Sequence, residues 1–255
     1  MEFLTLLSWP NCLPEVKIGV NCQDPTDGKM TMNLENPRGF IVFDCDGTLI
    51  SSEKATFRAL SVLLTEYLQR EVTAKEVEQK YVADLVKLAA NFGIEVQEQT
   101  EQARQFILRW QQVCAELNLR YELFDGIKEL LQDLIKEGLL LYVWTGRDRK
   151  TTLEILNELG VAKDFLDFRC MDDTISKPHP QGLYEMLGRE CDADKVVMIG
   201  DSYTDIQGAM NFGCLSIGAC WSTYANVEVL KEMGADHLVS EPKDCLKIIL
   251  DHIEK

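Results

Sequence analysis

Phe40-Ile41-Val42-Phe43-Asp44-Cys45-Asp46-Gly47-Thr48-Leu49 is the stretch from which the rest of this chain can be read. Phe40 to Phe43 form an apolar run without polar alternation, which suits a parallel strand covered on both faces. The run ends in two aspartates and a glycine turn, and open α/β sheets keep their ligands at the carboxyl ends of their strands. Asp44 and Asp46 are two residues apart, so the strand period points both side chains the same way. Two negative charges then share a small volume, which is costly unless a cation neutralises them or one carboxyl keeps its proton. Oxygen donors without thiolate favour a hard ion such as Mg²⁺, typically held by one or two carboxylates together with water and substrate phosphate. With that ion in place, one carboxylate can attack phosphorus while the other protonates the leaving oxygen and later deprotonates a water.

Outward from this stretch the chain changes character twice. Between Ser51 and Leu123 there is no strand signal. One helix carries Ala59, Leu60, Leu63, Leu64, Tyr67 and Leu68, and a second opens on the capping pair Thr73 and Glu76 and carries Val77, Tyr81, Val82, Leu85 and Leu88. A third carries Phe106, Ile107, Trp110, Val113, Cys114 and Leu117. From Phe124 onward the order is helix, glycine, strand, repeatedly, with Gly138, Gly160, Gly213 and Gly234 closing helical runs. The strands predicted there are 139–144, 166–169, 196–200, 214–218 and 237–239. Such alternation implies an α/β fold with a mainly parallel sheet flanked by helices, into which the helical block has been inserted.

The segment DCDGTL, Asp44 to Leu49, resembles the first motif, DxDGT, of the haloacid dehalogenase superfamily, whose members are mostly phosphatases. Three further stretches match that family's remaining motifs in order: Thr145-Gly146-Arg147, Lys177-Pro178-His179-Pro180, and Gly200-Asp201-Ser202-Tyr203-Thr204-Asp205. The resemblance spans Phe40 to about Val239. It implies a Rossmann-like core at 39–50 and 124–255, an α-helical cap at 51–123 that closes over the site, and an irregular extension at 1–38 that the resemblance does not cover.

Carried over residue by residue, the resemblance makes Asp44 nucleophile and metal ligand. Asp46 becomes acid and base, ligating through its backbone carbonyl, and Asp201 the second side-chain ligand of Mg²⁺. Thr145 and Lys177 would bind the transferred phosphoryl group, and Asp205 would orient its neighbours from one turn later. Read on their own residues, Thr145 could equally cap a helix, and Asp201 or Asp205 could cap the helix after 196–200. The family commonly has Asn where Gly146 stands, a departure that alters how the nucleophile is held without removing the phosphate hydroxyl. His179 is read as shaping its loop, since Asp46 already fills the proton-transfer role, and Cys45 as packing. Glu53, Lys54 and Arg58 are candidates for the substrate-facing side of the cap.

The cap position and the last two motifs most resemble phosphoglycolate phosphatase-like enzymes, implying a small phosphorylated metabolite as substrate. The alternative is a phosphomutase resembling β-phosphoglucomutase, which shares the motifs, the cap and an aspartyl-phosphate. A phosphoreceiver also sets acidic residues, a hydroxyl and a lysine over a parallel sheet, but its acceptor lies on a middle strand without a helical insertion. A non-catalytic phosphate-binding protein would not need all five polar residues.

A formal charge of −16 makes nucleic acid and anionic membrane poor partners, so a small anion must be drawn by local cations. Nine cysteines, an odd number with no CxxC pair, read as a reduced, cytoplasmic chain. Met1 to Leu7 lacks a basic region and the length of a span, and neither reads as a signal peptide nor as an anchor. Two readings of the extension stand, a translation start at Met30 or Met32 and a docking or partner-binding tail, and deleting the first 29 residues is expected to leave activity nearly intact.

Overall fold

The computed structural model describes residues 37–82, 85–97, 100–117 and 119–254. Strand β1 (Gly39–Phe43) leads to the short β2 (Ile50–Ser51), followed by helices α1 (Glu53–Leu68), α2 (Ala74–Lys80), α3 (Leu85–Asn91) and α4 (Glu101–Glu116) and then β3 (Glu122–Leu123). The chain next alternates through α5 (Ile127–Lys136), β4 (Leu139–Trp144), α6 (Arg149–Glu158), β5 (Asp167–Arg169), α7 (Gln181–Leu187) and β6 (Val196–Gly200). It closes with α8 (Tyr203–Phe212), β7 (Leu215–Ala219), α9 (Val227–Glu232), β8 (His237–Val239) and α10 (Cys245–Ile253).

The sheet order is β5-β4-β1-β6-β7-β8, with every neighbouring pair parallel. Its period-two alternation feeds two apolar layers. Ile41, Phe43, Leu141, Val143, Val197 and Ile199 join one, with residues of α5, α6 and α10. Val42, Tyr142, Trp144 and Met198 join the other, with residues of α7 and α8. This is the Rossmann-like parallel sheet flanked by helices that the alternation implies. The chain leaves β1 toward β4 on one side and reaches β6 on the other, so the carboxyl end of β1 lies at the switch point where such sheets bind ligands.

The block between β2 and β3 packs around its own apolar cluster, which includes Leu60, Leu64, Val77, Leu88, Phe106 and Val113. Burying each such side chain contributes about 1.5–3 kcal/mol, enough to hold short helices that would not persist alone. The second predicted helix is broken in two. Thr73 caps α2 through the Glu76 amide at 3.1 Å, as its sequence signature requires, but the backbone turns extended at Tyr81 (ψ 134°) and helix resumes only at α3. Strands β2 and β3 pair antiparallel, Ile50 with Leu123 and Ser51 with Glu122, and tie the two ends of the block together.

The predicted extension, apart from its last two residues, lies outside the described residues. Arg38 belongs to the packed chain: its guanidinium reaches Glu137 and Glu254, each at 2.8 Å.

Candidate active site

Asp44, Thr145 and Asp201 each follow a strand, β1, β4 and β6 respectively, and those three strands are neighbours. The ladder hydrogen bonds run past the strand ends, with the Asp44 amide donating to the Ile199 carbonyl and the Thr145 amide to the Arg169 carbonyl, each at 2.9 Å. Backbone pairing therefore fixes where these side chains begin.

Lys177 comes from the loop between β5 and α7. Its ammonium donates to Asp44 Oδ1 at 2.5 Å, Asp205 Oδ1 at 2.6 Å and the Trp144 carbonyl at 3.1 Å, using all three of its donors. The side chain is 7% exposed, and burial works against its charge, but Asp205 and Asp44 outweigh that and hold it above the ordinary lysine range.

Oxygens of Asp44, Asp201 and Asp205 all lie within 4.8 Å of one another. Burial, followed by the charge of Asp205, raises the Asp44 carboxyl to about 7 despite Lys177. Burial, then Asp44 and Asp205, pushes Asp201 well above the carboxylate range. Such an all-oxygen group carries more negative charge than one lysine balances, and it fits a hard divalent cation such as Mg²⁺.

The three carboxylates are not equivalent. Asp205 is fully buried, and its oxygens already accept from Lys177 and from the Ser202 amide (3.0 Å) and hydroxyl (2.7 Å). It caps α8 and steadies Lys177, which leaves the outer positions to Asp44 and Asp201. Gly47 explains why the first motif carries a glycine. Its φ is +79°, and a Cβ there would fall 2.1 Å from Asp201 Oδ2, so only glycine lets the turn approach that carboxylate. The adjoining Thr48 hydroxyl donates to Asp201 Oδ1 at 3.3 Å.

Asp46 is held apart from this group. Arg147 grips both of its oxygens, Nε to Oδ2 at 2.9 Å and Nη2 to Oδ1 at 2.6 Å. Burial pulls the Asp46 carboxyl upward, but Arg147 more than reverses it, and the net position is below the usual range. Thr145 is 3% exposed and its hydroxyl accepts the Arg147 amide at 3.1 Å. The capping alternative for Thr145 falls away, since Asp148 caps α6 through the Thr151 amide at 3.0 Å. Apart from its two chain neighbours, no heavy atom lies within 4 Å of where Gly146 would carry a Cβ, so the departure to glycine leaves open space there.

His179 is exposed, and its Nδ1 accepts the Gln181 amide at 3.2 Å where α7 begins. Cys45 is fully buried in the sheet's apolar layer. Of the residues considered for the cap's inner side, Lys54 and Arg58 are exposed, while Glu53 accepts from Ser51 and Ser222.

Sequence reasoning missed three contributors. The Arg147 side chain is one, since nothing in the local sequence ties it to Asp46, 101 residues away. Thr48 is another, visible only as the polar residue after the glycine. Tyr81 is the third. Its phenol is raised to about 12 by burial and by the charges of Asp46, Asp201 and Glu53, which brings a residue of the helical block into the field of the carboxylates.

Relatives of this chain carry phosphatase names. The N-acetylmuramic acid 6-phosphate phosphatase of Pseudomonas aeruginosa is 28% identical over 221 residues, covering 82% of this chain and 93% of the relative. The pyrophosphatase PpaX of Listeria monocytogenes is 25% identical over 218 residues, covering 83% and 96%. Among solved structures, a predicted phosphoglycolate phosphatase from Haemophilus somnus superposes with a TM-score of 0.70 at 23% identity, covering 82% of this chain and 97% of its own, a likeness of fold. The family model described as haloacid dehalogenase-like hydrolase matches residues 41–219, from within β1 to the end of β7. That span takes in the whole carboxylate and lysine cluster, and by this match the chain belongs to the haloacid dehalogenase-like hydrolases.

Proposed function

We propose that this chain is a Mg²⁺-dependent phosphatase that hydrolyses a small phosphate monoester through an aspartyl-phosphate on Asp44. The observation that carries the reading is the buried Lys177 ammonium between Asp44 and Asp205, with Asp201 in the same group of oxygens. A lone buried lysine among carboxylates is a poor stabilising device by itself, since desolvation consumes most of the attraction. As a grip on phosphoryl oxygens it has a use.

Asp44 would attack phosphorus in line with the departing oxygen, forming one Asp44–phosphorus bond as the ester bond breaks. Lys177 and the Thr145 hydroxyl would hold the equatorial oxygens of the transferred group. Asp46 would protonate the leaving oxygen and then take a proton from the water that releases phosphate. Asp44, Asp201 and the backbone carbonyl of Asp46 would hold Mg²⁺, which when bound offsets charge on the carboxylates and phosphoryl oxygens. Residues 51–123 would serve as the cap that excludes bulk water, with Tyr81 among the residues that meet the leaving group. The phosphatase names of the relatives support phosphoryl transfer to water over a mutase, and their differing substrates leave the leaving group open.

The cysteines among the described residues are all unpaired, which supports a cytoplasmic location, and no described helix is long and apolar enough to cross a membrane. The test is release of inorganic phosphate from p-nitrophenyl phosphate and a panel of phosphorylated metabolites. Release should require Mg²⁺, and acid quenching should trap phosphate on Asp44 and none on an Asp44→Asn variant. Release that persists in excess chelator would remove the metal, and phosphate trapped elsewhere would remove the nucleophile.

A further inference from the structure

We propose that Arg147 is the positioning residue for Asp46 in the second half of the reaction, a role that rests on the phosphatase reading above. Its guanidinium meets the Asp46 carboxylate in a two-point pair, a geometry that fixes both the place and the plane of the acceptor. The Arg147 side chain is 17% exposed and lies over the Tyr121 ring, 5.1 Å from its centroid. Tyr121 and Ser52 flank the β2–β3 pairing of Ser51 with Glu122. The pair is thus clamped at the base of the helical block, where the chain leaves the sheet and returns to it.

Two donors on two oxygens occupy one lone pair of each and hold the remaining ones in a fixed place, ready to accept. A carboxylate held this way suits the hydrolytic step. Water oxygen bonds to phosphorus, the bond from phosphorus to Asp44 breaks with its electron pair returning to the Asp44 carboxylate, and the water proton passes to Asp46. In the first step the same pairing works against proton donation: for a poor leaving group one Arg147 contact must open and Asp46 must take a proton from solvent, which it then passes to the departing oxygen as the ester bond breaks. A leaving group that departs as a stable anion, such as p-nitrophenolate, needs no such opening. The sequence separation of 101 residues between the partners shows that the contact is made by the fold and not by local chain geometry.

The experiment is rapid-mixing hydrolysis of p-nitrophenyl phosphate by the full chain with Mg²⁺, comparing wild type with Arg147→Ala, Arg147→Lys and Arg147→Gln. The expected result for Arg147→Ala is a p-nitrophenol burst near wild type in rate, then a steady rate reduced about tenfold to a hundredfold, a share of what acid–base catalysis supplies. Acid-quenched samples should hold more phosphoenzyme than wild type. Arg147→Lys should recover part of the steady rate, and Asp46→Asn combined with Arg147→Ala should lose little beyond Asp46→Asn alone. Burst and steady rate falling together without phosphoenzyme accumulation would overturn the proposal, as would a raised KM with unchanged kcat, which would make Arg147 a substrate contact. Should Arg147→Ala fail to fold, Arg147→Lys and Arg147→Gln carry the same burst comparison. If wild type itself forms no phosphoenzyme, the phosphatase mechanism fails; if it does and the variants accumulate none, only the role of Arg147 fails.

Discussion

Lowering the pH from about 8 to about 5.5 without divalent ions should stabilise this protein, because its buried Asp44 is the reverse of the usual paired carboxylate. The folded carboxyl is raised from 3.8 to about 7, chiefly by burial. Between those two values the folded chain keeps a proton that the unfolded chain has released, so stability falls as pH rises. Asp44 is 6% exposed, so screening does little to soften the effect. Over that interval the loss attributable to Asp44 is about 2 kcal/mol, or about 4–8 °C in melting temperature for a chain of this size. Asp201 is raised for the same reason and acts in the same direction. Mg²⁺ should reverse the trend, since it binds the ionised carboxylates; a concentration a hundredfold above its Kd adds about 2.7 kcal/mol, and the gain should be larger at the higher pH. The assay is thermal and urea unfolding at both pH values, in chelator and in Mg²⁺, with Asp44→Asn beside wild type to isolate the titrating group. In chelator, wild type should lose about 2 kcal/mol relative to Asp44→Asn on going to the higher pH. A difference that stays flat or grows in favour of wild type would refute the reasoning.

Lys177→Met keeps a long side chain but leaves Asp44 and Asp205 buried without their cation; it should destabilise the fold by about 3–5 kcal/mol at neutral pH in urea unfolding, less in acid, and abolish phosphate release. A loss below about 1 kcal/mol would mean that water already reaches those carboxylates. Gly146→Asn, by contrast, enters open space at ordinary backbone angles, so its stability should stay within about 0.5 kcal/mol of wild type, read by the same unfolding curves.

The strands that hold the site were legible because they are buried on both faces. The runs at 139–144 and 196–200 are uninterrupted and apolar, and β4 and β6 have those bounds. Edges were less certain: β5 begins at Asp167 and β7 at Leu215, each one residue later than expected, although the Leu166 amide already donates to the Leu141 carbonyl of β4 at 2.8 Å. Two-residue strands such as β2 and β3 carry no period at all, so a block that read as helical from end to end hides the pairing that closes it. Tyr81 and Val82 continue the helical spacing of Val77, but the Tyr81 ring packs edge-on against Phe57 at 5.0 Å, and the helix stops there. For the site, Asp44, Asp201, Asp205 and Lys177 could be named as candidates because they stand in motifs that resemble the family's, in the family's order. Arg147 could not, since a cation two residues beyond Thr145 reads locally as a solvated helix start, and only tertiary structure brings it to Asp46.

Charge explains why these groups assort as they do. Asp46 has its own cation in Arg147, so that pair is close to neutral by itself. Asp44, Asp201 and Asp205 share the single ammonium of Lys177, and if all three ionise, two negative charges are left over, the charge that one divalent ion carries. Without the ion, burial first and the neighbouring negative charge second keep the Asp44 and Asp201 carboxyls raised, while Arg147 holds Asp46 down against its burial. An arriving phosphoryl dianion would face repulsion from the bare carboxylates and attraction only after the divalent ion is bound. Metal binding should therefore precede substrate binding. The overall charge of −16 confines that attraction to the mouth of the sheet, so a small phosphate ester can be captured there while an extended polyanion is repelled along its length.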